Sequence, residues 1–410
     1  MSSPLQNALT MIMAGGRGER LYPLTRSTAK PAVTFGGCFK IIDFTLSNCF
    51  NSGIRQVYLL TQYSNATMNR HVQLAWEPLF RHELGEFVES LPPQHRSAED
   101  WYHGTADSLY QNIDVLQRHR PEQVIVLSGD HVYKMNYADL LDYHLQVEAE
   151  LTVAGVEIER SRAKDFGVME VDSGNRLRRF VEKPKDPPAV PDNPGKALVS
   201  MGVYIFATAA LVRELIRDAK GPRSGHDFGK DIIPSLMERG RRVFVYPFRA
   251  EPAKTARYWR DIGTLDSYFE CNLDLLAPRL EMPLYDRHWP IRTYVGSQPP
   301  ARIVDSTIDA SLRGRAVESL ICPGCVISGA QVERSVLSPR VRVHSKADVY
   351  ESILMEGVDV GRGAALRRAI VCPRVNVPEG VQVGFDPDKD RARFVVTPQG
   401  VTVVPEEYVW

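Results

Sequence analysis

The sequence predicts two architectures in one chain, an α/β domain over the first two thirds and a parallel β-helix after it. Short apolar runs alternate with helical patterns as far as about residue 280. After about residue 300, apolar residues recur at six-residue steps between Gly, Ser, Arg and Asp. A chain of 410 residues is also longer than one ordinary compact domain. We therefore expect two or three domains.

Three apolar runs predict the strands of the first sheet. They are Ala8–Ala14, Gln56–Leu60 and Val124–Leu127. Apolar residues at every position, rather than at alternate ones, are typical of strands covered on both faces. Strands of this kind separated by helices predict an α/β sheet with right-handed crossovers.

One helix is predicted between the second and third runs, where Leu109, Ile113 and Leu116 have helical spacing and Pro121 lies just beyond. Further elements follow along the chain. They are the strands Leu151–Glu157, Gly167–Val171 and Leu198–Phe206 and the helix Leu211–Ala219.

Two proline-rich stretches predict irregular structure. Residues 183–194 read as a surface loop and residues 278–300 as a connection between domains. We therefore divide the chain into a domain at 1–280, a linker at 281–300 and a β-helix domain at 301–410.

The β-helix prediction depends on apolar residues that are six positions apart. The steps run from Val326 to Val332, from Val343 to Val349 and Met355, from Val360 to Leu366 and Cys372, and from Val375 to Val381. This period with small or polar corners is typical of a parallel β-helix, whose inward residues stack coil upon coil. The frame slips between the groups, so an ordinary β-sandwich stays open on periodicity alone. An exposed coil edge also favours pairing with another subunit.

Composition narrows the class of protein. The 50 basic and 50 acidic side chains give zero net charge, whereas nucleic-acid-binding proteins usually have a basic excess. The segment Met1–Asn7 is short and polar, and no apolar run approaches the ~18 residues of a membrane span. We expect a soluble, cytoplasmic protein that binds neither nucleic acid nor membrane.

The six cysteines are few for this length and fit reduced thiols. Cys322 and Cys325 have the spacing of half a zinc site or of a redox pair. No second pair follows them, so the favoured interpretation is structural, with small residues at a tight corner.

A glycine-rich loop directly follows the first strand. Its glycines let backbone N–H groups approach a polyphosphate, and its arginines add charge and donors. The candidate phosphate-binding residues are Gly15, Gly16, Arg17, Gly18 and Arg20. Lys30, further along the loop, can neutralise another phosphate charge. The loop matches neither the P-loop nor the GxGxxG fingerprint, and a plain tight turn is the alternative.

Two acids in different loops are candidate metal ligands. Asp130 ends a buried-looking strand, and in open α/β sheets the carboxyl ends of strands face the ligand crevice. Asp261 is a second loop carboxylate, and Mg²⁺ prefers one or two carboxylates together with substrate oxygens. An ordinary Gly-Asp turn is the alternative for Asp130. The sequence also does not give the distance between Asp130 and Asp261.

A third group of candidates could bind a phosphate ester and its hydroxyls. Lys183 can bind the phosphate and Glu182 can accept hydrogen bonds from hydroxyls, although an exposed ion pair at a strand end is the alternative. Ser200 precedes a small-residue step inside a strand, which is consistent with close approach of a ligand.

Taken together, these segments resemble the bacterial ADP-glucose pyrophosphorylases. The loop from Gly15 to Pro31 is similar to the phosphate loop of sugar-nucleotide pyrophosphorylases in general. The blocks that resemble the ADP-glucose branch are Ala29–Val33, Phe35–Gly37, Ile41–Phe44, Leu46–Asn48, Asn51–Arg55, Thr61–Tyr63, Gly104–Asp107, Phe166–Met169, His226–Asp231, Tyr258–Thr264 and Trp289–Tyr294.

The resemblance implies a fold, an activity and partners. The implied fold is a Rossmann-like nucleotidyltransferase domain followed by a left-handed β-helix, assembled as a homotetramer. The implied reaction joins ATP to glucose 1-phosphate with Mg²⁺, releasing pyrophosphate and supplying ADP-glucose for glycogen synthesis. Small metabolites are the implied allosteric effectors.

The resemblance also implies roles for single residues. Arg17, Lys30 and Asp130 match catalytic positions, with Arg20 beside the phosphate-contacting ones, and Asp130 and Asp261 match the acids that hold Mg²⁺. The positions that match the glucose 1-phosphate pocket are Tyr102, Gly167, Glu182, Lys183 and Ser200. Gln62 and Trp101 match positions that relay the effector signal.

One departure concerns the effector site. Ser27, Thr28 and Thr34 stand where members activated by phosphorylated sugars carry a basic cluster, although Lys40 and Arg393 remain. Fewer cations predict a weaker anion site, so the identity of the effector stays open.

Three alternatives differ in activity. A pyrophosphorylase for UDP-, dTDP- or GDP-sugars would keep the fold and the mechanism. A non-catalytic regulatory paralogue would need a lost site residue, yet Arg17, Asp130, Lys183 and Asp261 are all present. An added acyltransferase would need a longer β-helix than this one.

Overall fold

The structure is a computed structural model that describes residues 4–16, 18–62, 65–93, 102–250, 255–309 and 311–410. Among the helices of these residues, none has the length and apolarity needed to span a bilayer.

Within the described residues, eight α-helices lie in the first domain and a ninth lies in the β-helix domain. They are α1 Ile41–Asn51, α2 Asn65–Ala75, α3 Thr105–Tyr110, α4 Ile113–His119, α5 Tyr137–Gln146, α6 Thr208–Asp218, α7 Ile233–Glu238, α8 Leu265–Asp274 and α9 Pro387–Arg391. The strands of the first domain are β1 Ala8–Met13, β2 Thr34–Phe35, β3 Phe39–Lys40, β4 Gln56–Leu60, β5 Phe87–Leu91, β6 Gln123–Ser128, β7 His131–Tyr133, β8 Leu151–Glu159, β9 Gly167–Val171, β10 Leu177–Glu182, β11 Lys196–Ala207, β12 Val243–Pro247, β13 Arg249–Ala250, β14 Thr255–Ala256 and β15 Trp259–Asp261.

A nine-stranded sheet forms the centre of this domain. Its main path is β10-β9-β11-β6-β1-β4-β5, and β8 joins β12 to β11. The three predicted apolar runs are β1, β4 and β6. β1 lies between the other two and runs parallel to both, so the α/β prediction is confirmed. β11 instead runs antiparallel to β6, and the sheet is therefore mixed.

The prediction of a single helix around Leu109 to Leu116 is wrong, because the structure has two helices there, α3 and α4. Asn112 lies between the two helices and is fully buried. Its side-chain amide donates to the carbonyl of Ser108 at 2.8 Å and to the Tyr102 hydroxyl at 3.1 Å. A side chain that bonds a carbonyl four residues back competes with the helical backbone, which explains the break.

The second domain is a parallel β-helix, as predicted. Its strands are β16 Arg302–Val304, β17 Arg315–Val317, β18 Leu320–Ile321, β19 Val326–Ser328, β20 Gln331–Glu333, β21 Val336–Leu337, β22 Arg342–Val343, β23 Asp348–Tyr350, β24 Ile353–Leu354, β25 Asp359–Val360, β26 Ala365–Arg367, β27 Ala369–Val371, β28 Asn376–Val377, β29 Gln382–Val383, β30 Val395–Val396 and β31 Thr402–Val404. They form three sheets of five, five and six strands, parallel except where β30 meets β31.

Strand register explains why the six-residue frame slips. Gln331, Asp348, Ala365 and Gln382 pair in series, so a coil spans 17 residues rather than three full steps of six. One step in each coil is therefore a residue short. The expected steps to Met355 and Cys372 are wrong by one position, since β24 ends at Leu354 and β27 ends at Val371.

The two domains share one apolar core. Phe35 and Phe269 of the first domain belong to the same buried cluster as Val336 and Ile353 of the β-helix. Both residues of β21 and of β24 are buried, so the outer face of this sheet is covered as well as its inner face. Between α8 and β16, residues 275–301 are all described and contain no helix or strand. The predicted linker limits of 281 and 300 stay a prediction.

Candidate active site

A short antiparallel ladder brings the two candidate acids together. β7 begins directly after Asp130, β15 ends at Asp261, and Asp261 pairs with His131. As a result, Asp130, His131 and Asp261 each offer a ligand atom, and these atoms lie within 4.8 Å of one another. Two carboxylates and one imidazole thus converge from segments distant in sequence.

Lys30 lies in the same cluster. Its ammonium donates to Asp130 Oδ2 at 2.6 Å and to Asp261 Oδ1 at 3.4 Å, and the residue is only 8% exposed. Burial alone would lower the pKa of Lys30, but the charges of Asp130 and Asp261 outweigh burial and raise it. Burial would likewise raise the pKa of Asp130, but the charges of Lys30 and His131 hold it far below its usual range.

The helix α1 supports the strand end that carries Asp130. Thr45 Oγ1 donates to the carbonyl of Ser128 at 3.1 Å, and the Ser128 hydroxyl donates to Asp130 Oδ1. A Cβ at Gly129 would lie 2.7 Å from Ile42 Cδ1, so a larger residue would force this turn or the Ile42 side chain to shift. The carboxylate of Asp130 is therefore fixed by its neighbours.

The glycine-rich loop packs on Lys30 and Gln62. Gly18 has a φ of +65°, and a Cβ there would be 2.9 Å from Lys30 Cβ. A Cβ at Gly15 would be 2.9 Å from Gln62 Cβ, whereas Gly16 is exposed with open space around it. The loop thus lies against two predicted site residues. Arg17 and Trp101 lie outside the described residues.

Arg20 and Asp261 line a cavity of about 880 Å³. Glu157, Lys164 and Trp259 also line it, but the predicted sugar-pocket residues do not. Arg20 itself is exposed. The cavity therefore lies to one side of the predicted site.

Glu182 packs against two glycines. It pairs with Gly167 across β9 and β10, and a Cβ at Gly167 would lie 2.9 Å from Glu182 Oε2 and 2.4 Å from Phe180. A Cβ at Gly229 would lie 2.6 Å from the same oxygen. Burial, and then the charge of Asp227, raises the pKa of Glu182. Neither glycine leaves room for a side chain beside this carboxylate.

Lys183 has a strained backbone. Its φ is +48°, in the left-handed region that non-glycine residues seldom adopt. Its N–H donates to the Phe166 carbonyl at 3.0 Å, and its side chain is 61% exposed with Nζ 3.7 Å from Glu182 Oε1. The turn therefore presents an exposed ammonium next to a partly buried carboxylate, and strain of this kind concentrates at functional sites.

An irregularity in β11 brings Gly202, two residues after Ser200, close to His131. The pairing of β11 with β8 shifts register between Ser200 and Tyr204. Gly202 lies in this shift with a φ of +65°, and a Cβ there would be 3.3 Å from His131 Cε1. Ser200 Oγ is 3.4 Å from the Tyr204 hydroxyl and accepts the Gly202 N–H at 3.3 Å.

Gln62 connects the glycine loop to Tyr102. Its amide donates to the Tyr102 carbonyl at 3.5 Å. The Tyr102 hydroxyl donates to the Leu91 carbonyl at 3.3 Å, and burial raises the pKa of Tyr102 to about 12. Tyr102 is thus a neutral group anchored to the end of β5.

Two polar residues near the site were missed from the sequence. His131 faces both acids, with Nε2 3.4 Å from Asp130 Oδ1 and 3.6 Å from Asp261 Oδ1. Asp227 accepts from the backbone N–H groups of Gly229 and Lys230 and from the Thr105 hydroxyl at 3.1 Å. His131 could have been found from its residue type, since histidine is a common metal ligand and this one directly follows Asp130. No comparable local signal indicated a role for Asp227.

Lys40 and Arg393, the two basic residues that remain at the expected effector positions, both have partners in the structure. Lys40 donates to Thr34 Oγ1 at 2.8 Å, and burial lowers the pKa of Lys40. Arg393 lies over the rings of Phe394, Tyr408 and Trp410, at 4.9, 5.6 and 5.1 Å from their centroids. Arg393 Nε also donates to the Tyr408 hydroxyl at 3.0 Å.

Comparison with known proteins identifies both domains. Residues 9–277 match the family model for nucleotidyl transferases, and residues 299–404 match the model for the GlmU-like C-terminal hexapeptide. These matches agree with the α/β sheet and with the β-helix described above.

Curated relatives match over nearly the whole chain. A glucose-1-phosphate adenylyltransferase of Methylococcus capsulatus is 48% identical over 97% of this chain and 93% of its own length. One of Rhodopirellula baltica is 47% identical over 98% and 90% of the two chains. Glucose-1-phosphate adenylyltransferase 2 of Vibrio cholerae is 45% identical over 98% and 99%. The chain therefore belongs to the glucose-1-phosphate adenylyltransferase family of nucleotidyl transferases.

Proposed function

We propose that the protein joins ATP and glucose 1-phosphate to give ADP-glucose and pyrophosphate. Its relatives over almost the full length are named for this activity. The observation that carries the proposal is the convergence of Lys30, Asp130 and Asp261 beyond the carboxyl end of β6. In open α/β sheets this edge is where ligands bind.

The two carboxylates fit a divalent cation. Asp130 and Asp261 provide oxygen ligands of the kind that Mg²⁺ and Mn²⁺ prefer, and His131 lies beside them with a nitrogen donor. When bound there, Mg²⁺ would neutralise charge on the nucleotide phosphates. We assign Asp130 and Asp261 as the residues that hold it.

The remaining chemistry needs alignment and positive charge from the protein. A phosphate oxygen of glucose 1-phosphate is already ionised at neutral pH, so its attack on the α-phosphorus of ATP needs no general base. Lys30 would shift from the carboxylates to the phosphates, while Gly15, Gly16 and Gly18 offer backbone N–H groups. Arg17 and Arg20 add charge, and such alignment and charge stabilisation account for much of the rate in reactions of this class.

The sugar phosphate would lie between β9, β10 and β11. Glu182 would accept hydrogen bonds from sugar hydroxyls while Lys183 reaches the phosphate from the strained turn. Ser200 and Tyr102 would complete the pocket, and Gly167 keeps Glu182 in place.

Regulation and assembly form a further part of the proposal. Gln62 contacts both the glycine loop and Tyr102, so it could relay an effector signal together with Trp101. We propose a homotetramer that uses the β-helix for assembly, small-molecule effectors and a role in glycogen synthesis. The loss of basic residues at Ser27, Thr28 and Thr34 leaves the effector unassigned.

Pyrophosphate release tests the proposed activity. Full-length protein would be assayed with glucose 1-phosphate and Mg²⁺ against ATP, UTP, dTTP and GTP. We expect a strong preference for ATP; preference for another nucleotide would overturn the product assignment. If none of the four nucleotides gives pyrophosphate release, even with sugar phosphates present as activators, a regulatory paralogue would be favoured.

A matched pair of variants tests the role of Asp130. Asp130→Asn keeps the shape of the side chain and should lose at least ~100-fold in turnover, because the proposed metal site loses a charge. Asp114→Asn removes an exposed acid that pairs only with Arg118 among the described contacts, and it should keep wild-type turnover. Equal turnover in both variants would refute the assignment.

A further inference from the structure

Two cysteines from different domains meet where the first domain packs on the β-helix. Cys38 lies in the turn between β2 and β3, and Cys322 directly follows β18. The two thiols are close enough that each shifts the pKa of the other, lowering that of Cys38 and raising that of Cys322. A Cβ at Gly37 would be 2.6 Å from Cys322 Sγ, and Gly37 has a φ of +85°. The turn therefore lies directly against the Cys322 thiol.

We propose that Cys38 and Cys322 form a redox site, which a small disulfide oxidant converts into one disulfide bond between the two domains. This inference goes beyond the proposed transferase activity and does not depend on it. The alternative pair suggested by spacing, Cys322 with Cys325, is not favoured. Cys325 is fully buried, and its thiol donates to the Ser338 carbonyl at 3.1 Å.

Exposure selects Cys38 as the thiol that reacts first. All six cysteines lie in the described residues, and Cys38 alone is partly exposed while the other five are buried. The nearby Cys322 thiol also lowers the pKa of Cys38. Burial instead raises the pKa of Cys271 and of Cys372 to about 12. Since the thiolate is the nucleophile, an oxidant should find Cys38 more reactive than the others.

The chemistry balances with glutathione disulfide as the oxidant. The Cys38 thiolate attacks one sulfur of glutathione disulfide, which forms a mixed disulfide and releases one glutathione. Cys322 then loses its proton and attacks the Cys38 sulfur, which releases the second glutathione. Two protein thiols are oxidised and one glutathione disulfide is reduced to two thiols, with the two protons passing to the leaving groups.

The setting favours an intramolecular bond. Cys322 is fixed to the β-helix, because its N–H donates to the Leu337 carbonyl at 3.0 Å. Cys38 lies at the tip of a hairpin whose pairs are Thr34 with Lys40 and Phe35 with Phe39. A tip of this kind can adjust to the narrow geometry that a disulfide requires. The bond would close a long loop, and such loops gain the most stabilisation in the chain-entropy model.

Thiol counting on the intact protein tests the site. Reduced, desalted full-length protein would be incubated with glutathione disulfide, denatured, and titrated with a chromogenic disulfide reagent. We expect the count to fall from six to four, with a peptide pair containing Cys38 and Cys322 in unreduced mass maps. The unfolding midpoint should rise by about 5 °C or more, and a thiol reductant should reverse the rise.

Three variants distinguish this site from other thiol reactions. Cys38→Ser and Cys322→Ser should each lose the crosslinked peptide pair and the rise in midpoint. Cys325→Ser, three residues from Cys322, should still lose two thiols and gain the same rise. An unchanged count in the wild type, a stable glutathione adduct on Cys38, or a crosslink that persists in Cys322→Ser would each overturn the proposal.

Discussion

Lys30→Met removes the positive charge that lies beside the two proposed metal-binding acids, and it nearly keeps the length of the side chain. The ammonium lies 2.6 Å from Asp130 Oδ2 and 3.4 Å from Asp261 Oδ1. With an effective dielectric of about 20, these separations correspond to roughly 6 and 5 kcal/mol of gross attraction. Lys30 therefore lies against the two carboxylates that would hold a divalent ion. In the absence of nucleotide, the ammonium and the ion compete.

This competition gives the prediction its sign. Lys30→Met should bind Mn²⁺ at least about tenfold more tightly than the wild type when no nucleotide is present. That gain equals about 1.4 kcal/mol, a small part of the gross attraction, because desolvation offsets most of the attraction between buried charges. Turnover should fall at the same time, since the ammonium that we propose binds the phosphates is gone.

Calorimetric titration with Mn²⁺, or the loss of the free Mn²⁺ resonance signal, measures the affinity directly. Lys220→Met is a matched control, because it removes an exposed lysine. The control should leave Mn²⁺ affinity unchanged. Weaker or unchanged Mn²⁺ binding by a folded Lys30→Met protein would refute the competition, since removing a counter-charge without an ion taking its place would only leave two acids unpaired.

Three further predictions concern the sugar pocket and the pH dependence of stability. Gly167→Ala should raise the KM for glucose 1-phosphate at least ~10-fold, because the added Cβ would meet Glu182 and Phe180. Gly174→Ala is the control and should leave the KM unchanged, since its Cβ would meet nothing closer than 3.4 Å. Equal KM values in the two variants would contradict the prediction. Lys183→Gly should raise the free energy of unfolding by up to ~1 kcal/mol, because glycine adopts a φ of +48° without strain, while Lys183→Ala should not. Both variants should weaken glucose 1-phosphate binding in a direct titration. Burial lowers the pKa of His144 to about 4, so between that value and ~6.5 the unfolded chain binds more protons. The stability that this residue contributes is therefore present above pH 6.5 and falls by about 3 kcal/mol as the pH drops to 4. Urea denaturation across this pH range measures the loss. His144→Gln should remove the loss, whereas His82→Gln, at an exposed histidine, should retain it.

The sequence was most informative where one side chain or one period decides the structure. β4 has the predicted bounds, Gln56–Leu60, because a continuous apolar run between polar turns leaves little choice of register. Asp130 was placed at a strand end by the same reasoning, and the structure has it two residues after the end of β6. The β-helix was recognisable because apolar residues return at nearly constant steps.

Long-range pairing and buried polar groups were beyond the reach of local patterns. Nothing near Asp261 in the sequence indicates that β15 pairs with β7, yet this ladder alone brings Asp261 to Asp130. The break between α3 and α4 depends on a buried amide of Asn112, whose partner Tyr102 lies outside both helices. The length of a coil, 17 residues, follows from three strand pairings and not from any one step.

The helix α1 shows how one element serves the site and the domain contact together. On one side, Asn48 donates to the Tyr133 carbonyl at 3.1 Å and accepts the Met135 N–H at 3.2 Å, which fixes the chain just after β7. The same amide oxygen accepts the Trp289 indole N–H at 2.9 Å. Ser47 also accepts the N–H of Arg292 at 2.8 Å.

These contacts give α1 its composition. A helix whose Ser47 and Asn48 are fully buried would lose stability if those groups lacked partners, since each unsatisfied polar group costs about 1–3 kcal/mol. Here their partners are the segment that follows Asp130 on one side and the chain before the β-helix on the other. The polar residues inside α1 therefore hold the strand end at the site and the interdomain segment in one hydrogen-bonded unit, which an apolar helix of the same shape could not do.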